Sequence, residues 1–538
     1  MKKLKPAYIL SFVIAFTIFI YEPIVLYASN KTDLWFDFKS MLKPMILLFI
    51  ILFAFIMLFY AVINKFSKKK KVYNVILVIS FITFFASYIQ GNYLIGDLPP
   101  LDGTTIVWKG FLLQNIITIC VWLIIIAAYI LCIRKFKFDK VLDVSKKITL
   151  VIFIMLSVSM LTTLLTTKDM FLEKKAVDAT PKYFTTLSSD KNLIVFLVDA
   201  VDSKTFEKIR KDSKYKDTFE DFTYYPDTLA YYPFTRDSIP LILSGVPNHN
   251  KEDFYNYYNK AMDKSPLMDE LIKNKYNINI YDYELGWSTK KSENVTNSRE
   301  VSNSIRTSRF AVHELKYVGY KYLPYFLKKF VKIENMNFNY TKTLKEESSY
   351  SWDNVDNYKV ISKEKVEKDK QKFFKFIHVE GAHVPFDEDE ELNKIDENEG
   401  TYEQKVASSL KLINSYINWL KENDVYDNSA IVILADHGYD YENIIGRQNP
   451  ILYIKGIDEE HDMRESDKKV SYLDLANTFI DLMNGKKTDE LFEDIDDDRE
   501  RKFIWYEYTK ENNMVEYVQT GNAWDKETAK TTGKKYKR

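Results

Sequence analysis

The sequence predicts a bundle of five membrane-spanning helices followed by an α/β domain with a largely parallel central sheet. Three observations carry this. The long apolar runs of the 538-residue chain fall before Thr167. Beyond Asp190, short continuous apolar runs of strand length alternate with helical patterns. Several of those runs end in Asp or in Asp-His, the chemistry that open parallel sheets gather at the carboxyl ends of their strands. A chain this long exceeds one ordinary core, and the mean hydropathy of -0.26 hides the segregation of its apolar residues.

A span needs about 20 apolar residues. Five runs qualify: Tyr8–Tyr27, Met45–Asn64, Tyr73–Ile89, Phe111–Cys132 and Ile148–Leu165. The first follows Lys2, Lys3 and Lys5 as a signal peptide would, but it is long, has no small-x-small cleavage site and precedes four more runs. It therefore reads as a retained span. Lysine and arginine collect at the N-terminus, at Lys65–Lys71 and at Arg134–Lys147, while the loops Asn30–Ser40 and Gln90–Lys109 are less basic. Basic loops stay cytoplasmic, so an odd number of spans puts the chain after Leu165 outside. Glu22-Pro23 lies within the first span. A carboxylate there faces a partner or a water-filled cleft, or else snorkels to the interface.

The expected domains are a transmembrane domain (1–167), a linker without sustained apolar period (168–190) and an extracytoplasmic catalytic domain (191–538). Continuous apolar runs at Asn192–Val198, Phe373–Val379, Ala430–Leu434 and Ile451–Ile454 suit strands buried on both faces, and Tyr402–Asn423 and Tyr472–Met483 read as helices between or after them. Cys120 and Cys132, the only cysteines, lie in one apolar run, so the outer domain has neither disulfides nor a zinc-thiolate site. The formal net charge of +0 offers no field for nucleic acid, which is not expected as a partner.

The chemistry concentrates at three strand ends. The first strand ends in Asp199, the second runs through His378 to Glu380-Gly381-Ala382-His383-Val384-Pro385-Phe386, and the third ends in Asp436-His437-Gly438. Carboxylate oxygens with imidazole nitrogen suit Zn, Mn or Mg. Asp436-His437 alone could form a turn, and Asp199 could cap a helix; their company favours ligands. His378, inside a strand, reads as a hydrogen-bonded core histidine, and His249, His313 and His461 as surface residues. The runs Asp387–Glu391 and Asp494–Asp498 lack the glycine of a calcium loop and read as solvated surface.

A fourth segment, Tyr231–Pro240, runs on to Leu243-Ser244-Gly245. With it, the set resembles the sulfatase-like branch of the alkaline phosphatase superfamily. In that family's sulfatases a cysteine destined to become formylglycine opens a short helix that a Thr-Gly pair closes ten positions later. Ten positions before Gly245 stands Thr235, favoured over Ser238 by this spacing. The strand ending in Asp199, the His-x-Pro-Phe at His383 and the Asp-His-Gly at Asp436 follow the family's order. No cysteine stands at 235, so formylglycine cannot form; Ile239 replaces the usual arginine, and Asp199-Ala200 the usual Asp-Asp pair.

A threonine nucleophile resembles instead the phosphotransferring branch, the lipoteichoic acid synthases and phosphoethanolamine transferases, which also carry five spans. The resemblance implies at least one divalent ion (Mn, Mg or Zn) held by Asp199, Asp436 and His437 with Thr235 as the exchangeable fourth ligand. Thr235 would be the nucleophile, and His383, Arg236 and Arg447 would meet the substrate's phosphate. It further implies a membrane phosphotransferase that moves a phospho-alcohol from a lipid donor to a cell-envelope glycan or lipid via phospho-threonine. The alternatives are a hydrolase of the same fold (a phosphodiesterase or a sulfuric ester hydrolase) and a catalytically inactive module that binds glycans or lipids.

Overall fold

The computed structural model describes the chain except residues 1–4, 32–33, 67–70, 97, 99–105, 174–176, 249–253, 284–288, 301–303, 334, 343–348, 441–443, 497, 507–513 and 537–538. His249 and most of the Lys65–Lys71 cluster lie outside the described residues. The chain divides into two compact units, residues 1–175 with 302–343, and residues 176–301 with 344–538.

The first unit holds five helices long and apolar enough to cross a membrane: α1 (Lys5–Asn30), α2 (Phe38–Phe66), α3 (Lys71–Tyr93), α4 (Trp108–Lys135) and α5 (Phe138–Thr166). Of these α1 is the one enclosed by the others, with 61% of its apolar window buried against 28% or less in the rest. A π-turn at Thr17–Tyr21 interrupts it just before Glu22-Pro23. Pro23 has no N–H to continue the α-helical ladder, and the wider turn takes up the mismatch. Glu22 is fully buried and meets a partner: Lys321 Nζ lies 3.0 and 2.8 Å from its two oxygens, and the Tyr322 hydroxyl also donates to it. Residues 302–343, which the sequence leaves inside the outer domain, thus group with the spans.

The second unit is built on a seven-stranded sheet. Its strands are β1 (Asn192–Val198), β2 (Thr223–Tyr224), β3 (Asn277–Tyr281), β4 (Phe373–Val379), β5 (Ser429–Leu434), β6 (Leu452–Lys455) and β7 (Arg464–Glu465), in the order β7-β2-β6-β5-β1-β4-β3. The four strands β5, β1, β4 and β3 run parallel, and β6 pairs antiparallel with both β5 and β2. Every residue of β1, β4 and β5 is buried, which is why these strands are largely apolar, with Lys375 and His378 the charged or polar exceptions inside β4. The register sets the site: Leu434 lies beside Leu197, and Leu197 beside His378. The residues just beyond, Asp436, Asp199 and Glu380, therefore leave the sheet at one level.

Three details differ from the sequence reading. His313 is 5% exposed rather than on the surface, because its helix, Thr307–Tyr322, turns that face toward Phe338. Glu388, expected among solvated acids, is fully buried, since Asn354, Lys394 and Ser408 all donate to it. The second half of the expected linker carries short strands, Val177–Ala179 and Thr186–Ser188, paired with Ser298–Glu300 and Glu367–Asp369.

Candidate active site

Each side chain of the site is placed by a strand end or a helix start. Asp199 follows β1 and is fully buried. The chain then turns through Ala200 at a φ of 57°, and the Ala200 N–H donates to Asp436 Oδ1 at 3.0 Å, tying two strand ends together. From β4, Gly381 crosses directly beside Asp199: its φ is +59°, and a Cβ there would sit 2.3 Å from the Asp199 nitrogen. Only glycine fits such an approach. The Ala382 N–H donates to the Asp199 carbonyl at 2.8 Å, fixing the loop that carries His383.

Thr235 is the first residue of α6 (Thr235–Ser244), which Gly245 closes in the left-handed conformation. Its hydroxyl donates to Asp199 Oδ2 at 3.3 Å and lies 3.5 Å from His437 Nε2. At the start of a helix it also faces the positive end of the dipole, where a phosphoryl group is favoured. Ser238 is buried, with its hydroxyl donating to the Tyr232 carbonyl at 3.3 Å. Among the described residues, Asp199, Asp436 and His437 form a group whose potential ligand atoms lie within 4.8 Å of one another.

The hydrogen bonding fits that group to a cation. His437 Nδ1 donates to the Gly438 carbonyl at 2.6 Å, which leaves Nε2 with a lone pair. That lone pair lies 3.3 Å from Asp436 Oδ2 and 3.9 Å from Asp199 Oδ1. Both carboxylate oxygens are buried without a hydrogen-bond partner among the described residues. Three electron-rich atoms converging in a dry pocket repel one another unless a positive charge sits between them. Burial, helped by the nearby Arg447 charge, holds the His437 imidazole below its usual range, as a ligand nitrogen requires. Burial and the Asp199 charge push Asp436 up. Burial opposes ionisation of Asp199 too, but His383, His378 and His437 outweigh it and hold that carboxyl well below the carboxylate range.

His378 takes a different part. Its Nδ1 donates to Asp282 Oδ1 at 2.9 Å and its Nε2 to Asp199 Oδ2 at 3.3 Å, so both nitrogens carry protons. Burial works against the charge, but the two carboxylates raise this imidazole to about 10. It is a hydrogen-bonded core histidine, as expected, and a cation that braces Asp199 from behind. Asp282 was missed from the sequence. It follows β3, whose Asn277-Ile278-Asn279-Ile280 alternation was a usable strand signal.

The expected phosphate-facing groups are placed unequally. His383 is half-buried, donates from Nδ1 to the Val384 carbonyl at 2.6 Å and lies edge-on to Trp352 at 5.6 Å. Arg447 is buried; one of its N–H groups donates to the Pro233 carbonyl at 2.6 Å and its guanidinium covers the Phe234 ring at 4.6 Å, so it also braces the strand of chain leading to Thr235. Arg236 shares the first turn of α6 and is half-buried. A second acidic group, Asp353, Glu380 and Glu388, is met by ammonium ions: Lys394 contacts all three, and the buried Lys405 contacts Glu380 at 2.7 Å.

Such a sheet, with a hydroxyl at a helix start among two acids and an imidazole, defines the enzyme class of the alkaline phosphatase superfamily. The Sulfatase family profile matches residues 191–485, more than half of the chain, and the chain belongs to that family. Solved structures are similar to the chain at low identity. An alkaline phosphatase superfamily protein from Vibrio parahaemolyticus is 13% identical, with a TM-score of 0.36 over 66% of this chain and 85% of its own. A putative sulfatase, yidJ, from Bacteroides fragilis is 12% identical, with a TM-score of 0.36 over 62% and 84%. The phosphonate monoester hydrolase SpPMH from Silicibacter pomeroyi is 12% identical, with a TM-score of 0.36 over 62% and 87%. No curated protein sequence matches the chain.

Proposed function

We propose that this membrane-anchored enzyme is a metal-dependent phosphotransferase. It would move a phospho-alcohol head group from a membrane lipid to a hydroxyl of a cell-envelope glycan or lipid, through a phosphoester of Thr235. The observation that carries this is the identity and setting of residue 235: a threonine, where formylglycine chemistry needs cysteine, with its hydroxyl 3.3 Å from Asp199 and 3.5 Å from His437. A free threonine hydroxyl is a weak nucleophile. A divalent ion held by Asp199, Asp436 and His437 would lower the pKa of an oxygen beside it and offset charge on the phosphoryl group.

In the first half-reaction Thr235 Oγ1 attacks phosphorus and releases its proton to solvent water. The O–P bond to the lipid breaks, and the departing lipid alcohol takes up a proton from His383. In the second, His383 accepts the proton of the acceptor hydroxyl as that oxygen attacks phosphorus, and the Thr235 oxygen leaves and takes up a proton from solvent water. Arg236 and the α6 N-terminus favour the phosphoryl charge in both. His378 keeps Asp199 ionised and oriented. With the basic loops on the cytoplasmic side, the site works outside the cell, and five spans hold it near a lipid donor at high effective concentration.

Hydrolysis by the same residues differs only in water replacing the acceptor. The two are separated by incubating the full chain with Mn2+, a head-group-labelled phospholipid and a glycan acceptor. Label appearing on the acceptor, and none with Thr235→Ala, supports transfer. Label released only as free phospho-alcohol establishes the hydrolase, and undiminished turnover by Thr235→Ala rejects the nucleophile.

A further inference from the structure

Residues 304–342 are separated from α5 by more than a hundred positions, yet they pack on the spans. Lys321 and Tyr322 hold the buried Glu22 of α1. The Tyr322 ring lies so close to α3 that a Cβ at Gly91 would meet it at 2.5 Å. Tyr325 stacks on Phe111 at 5.7 Å, and the Trp35 indole N–H donates to the Phe338 carbonyl at 2.9 Å. All these contacts lie toward one end of the bundle, the end opposite Arg134 and Lys135.

What this segment leaves outward is apolar and basic. Val312 and Leu315 are exposed on one side of the helix Thr307–Tyr322, and Phe326 and Phe330 stand four positions apart beyond it, Phe330 with 73% of its surface open. Exposed around them are Arg306, Arg309, Lys329 and Lys332, while Glu314 is fully buried, where burial and the neighbouring Glu22 charge push its carboxyl well up. Open phenylalanines in a water-facing domain would be a liability. The start of α4, on which Tyr325 packs through Phe111, likewise leaves Leu112 and Leu113 exposed.

We propose that residues 304–342 form a membrane-interface element. Phe326, Phe330, Val312 and Leu315 enter the leaflet that this end of the spans reaches, and Arg306, Arg309, Lys329 and Lys332 meet the phosphates of anionic phospholipid. An apolar face flanked by cations has the chemistry of an interfacial helix, and long basic side chains reach head groups while their stems lie in the apolar layer. The Glu22–Lys321 pair is the clamp that fixes the element to α1. This goes beyond the proposed reaction and holds whether the enzyme transfers or hydrolyses.

The test is spin-label accessibility on the full chain in vesicles of phosphatidylcholine with and without phosphatidylglycerol, with Cys120→Ser and Cys132→Ser removing the native thiols. Labels go on Phe330→Cys, on Leu123→Cys as a lipid reference and on Glu422→Cys as an aqueous one; both reference positions are exposed. The expected oxygen-to-nickel accessibility ratio at 330 exceeds that at 422 by about threefold or more. Phosphatidylglycerol raises it further, and Lys329→Gln with Lys332→Gln removes that response. A ratio at 330 equal to that at 422 overturns the proposal. So does low accessibility to both reagents, the mark of a protein contact such as a second copy of the chain, and so does indifference to phosphatidylglycerol.

Discussion

Asp199 meets four groups with different tasks. Oδ2 accepts from Thr235 and His378, Oδ1 faces the His437 lone pair, and the backbone N–H and carbonyl are held by the β4 loop. His378 is the residue on which this arrangement turns, because it supplies the positive charge behind the carboxylate. Replacing such a supporting partner costs about 10–100-fold in metal affinity or activity. His378→Gln is therefore expected to weaken Mn2+ binding by that order in titration calorimetry, with kcat/KM falling in parallel, and unchanged binding would contradict the bracing role. The sequence showed Asp199, Asp436, His437 and Thr235 because each sits at a strand end or helix start in a local motif. It could not show that His378 is doubly bonded, since Asp282 lies 96 positions away and the bond exists only once β3 and β4 pair.

At the scale of elements, the strands legible in the sequence were those buried on both faces. β3, although buried throughout, was passed over because its Asn-Ile alternation is not a continuous apolar run, and two-residue strands such as β2 are too short for any periodicity. The β4–α loop is the most constrained element at the site. Gly381 tolerates no Cβ against the Asp199 backbone, so Gly381→Ala must displace the loop bearing His383. Its expected cost is about 2–4 kcal/mol, read as a lowered thermal transition of the second unit, together with lost turnover. Lys405 secures the same loop from beneath, fully buried against Glu380, Asp387 and the Pro385 carbonyl. Lys405→Met would leave the buried Glu380 with only the more distant Lys394 ammonium at 3.9 Å, a loss of about 3–5 kcal/mol. A melting temperature equal to that of the native chain would show the pair to be dispensable.

For the whole molecule, five spans and the α/β unit were both legible, because long apolar runs and strand-length runs are local signals. The membership of residues 302–343 in the membrane unit was not legible. Its anchors join positions far apart in sequence, such as the Glu22–Lys321 pair and the Trp35–Phe338 hydrogen bond, and nothing local distinguishes its helix from one in the second unit. The electron-rich trio at the strand ends has a molecular consequence. A cation bound only by the folded second unit stabilises it by about 2.7 kcal/mol at a hundred times its Kd. Adding Mn2+ or Zn2+ to chelator-treated protein should therefore raise the second unit's thermal transition, and Asp436→Asn should abolish the rise. An equal rise in Asp436→Asn would place the ion elsewhere.

The nucleophilic role of Thr235 is tested most directly by mass spectrometry of its peptide after the full chain is incubated with lipid extract and divalent ion, then quenched in acid. The expected result is a phospho-alcohol mass added to Thr235, lost when an acceptor is supplied and absent from Thr235→Ala. An unmodified Thr235 in protein that is turning over lipid, or the same adduct on another residue, would contradict the assignment.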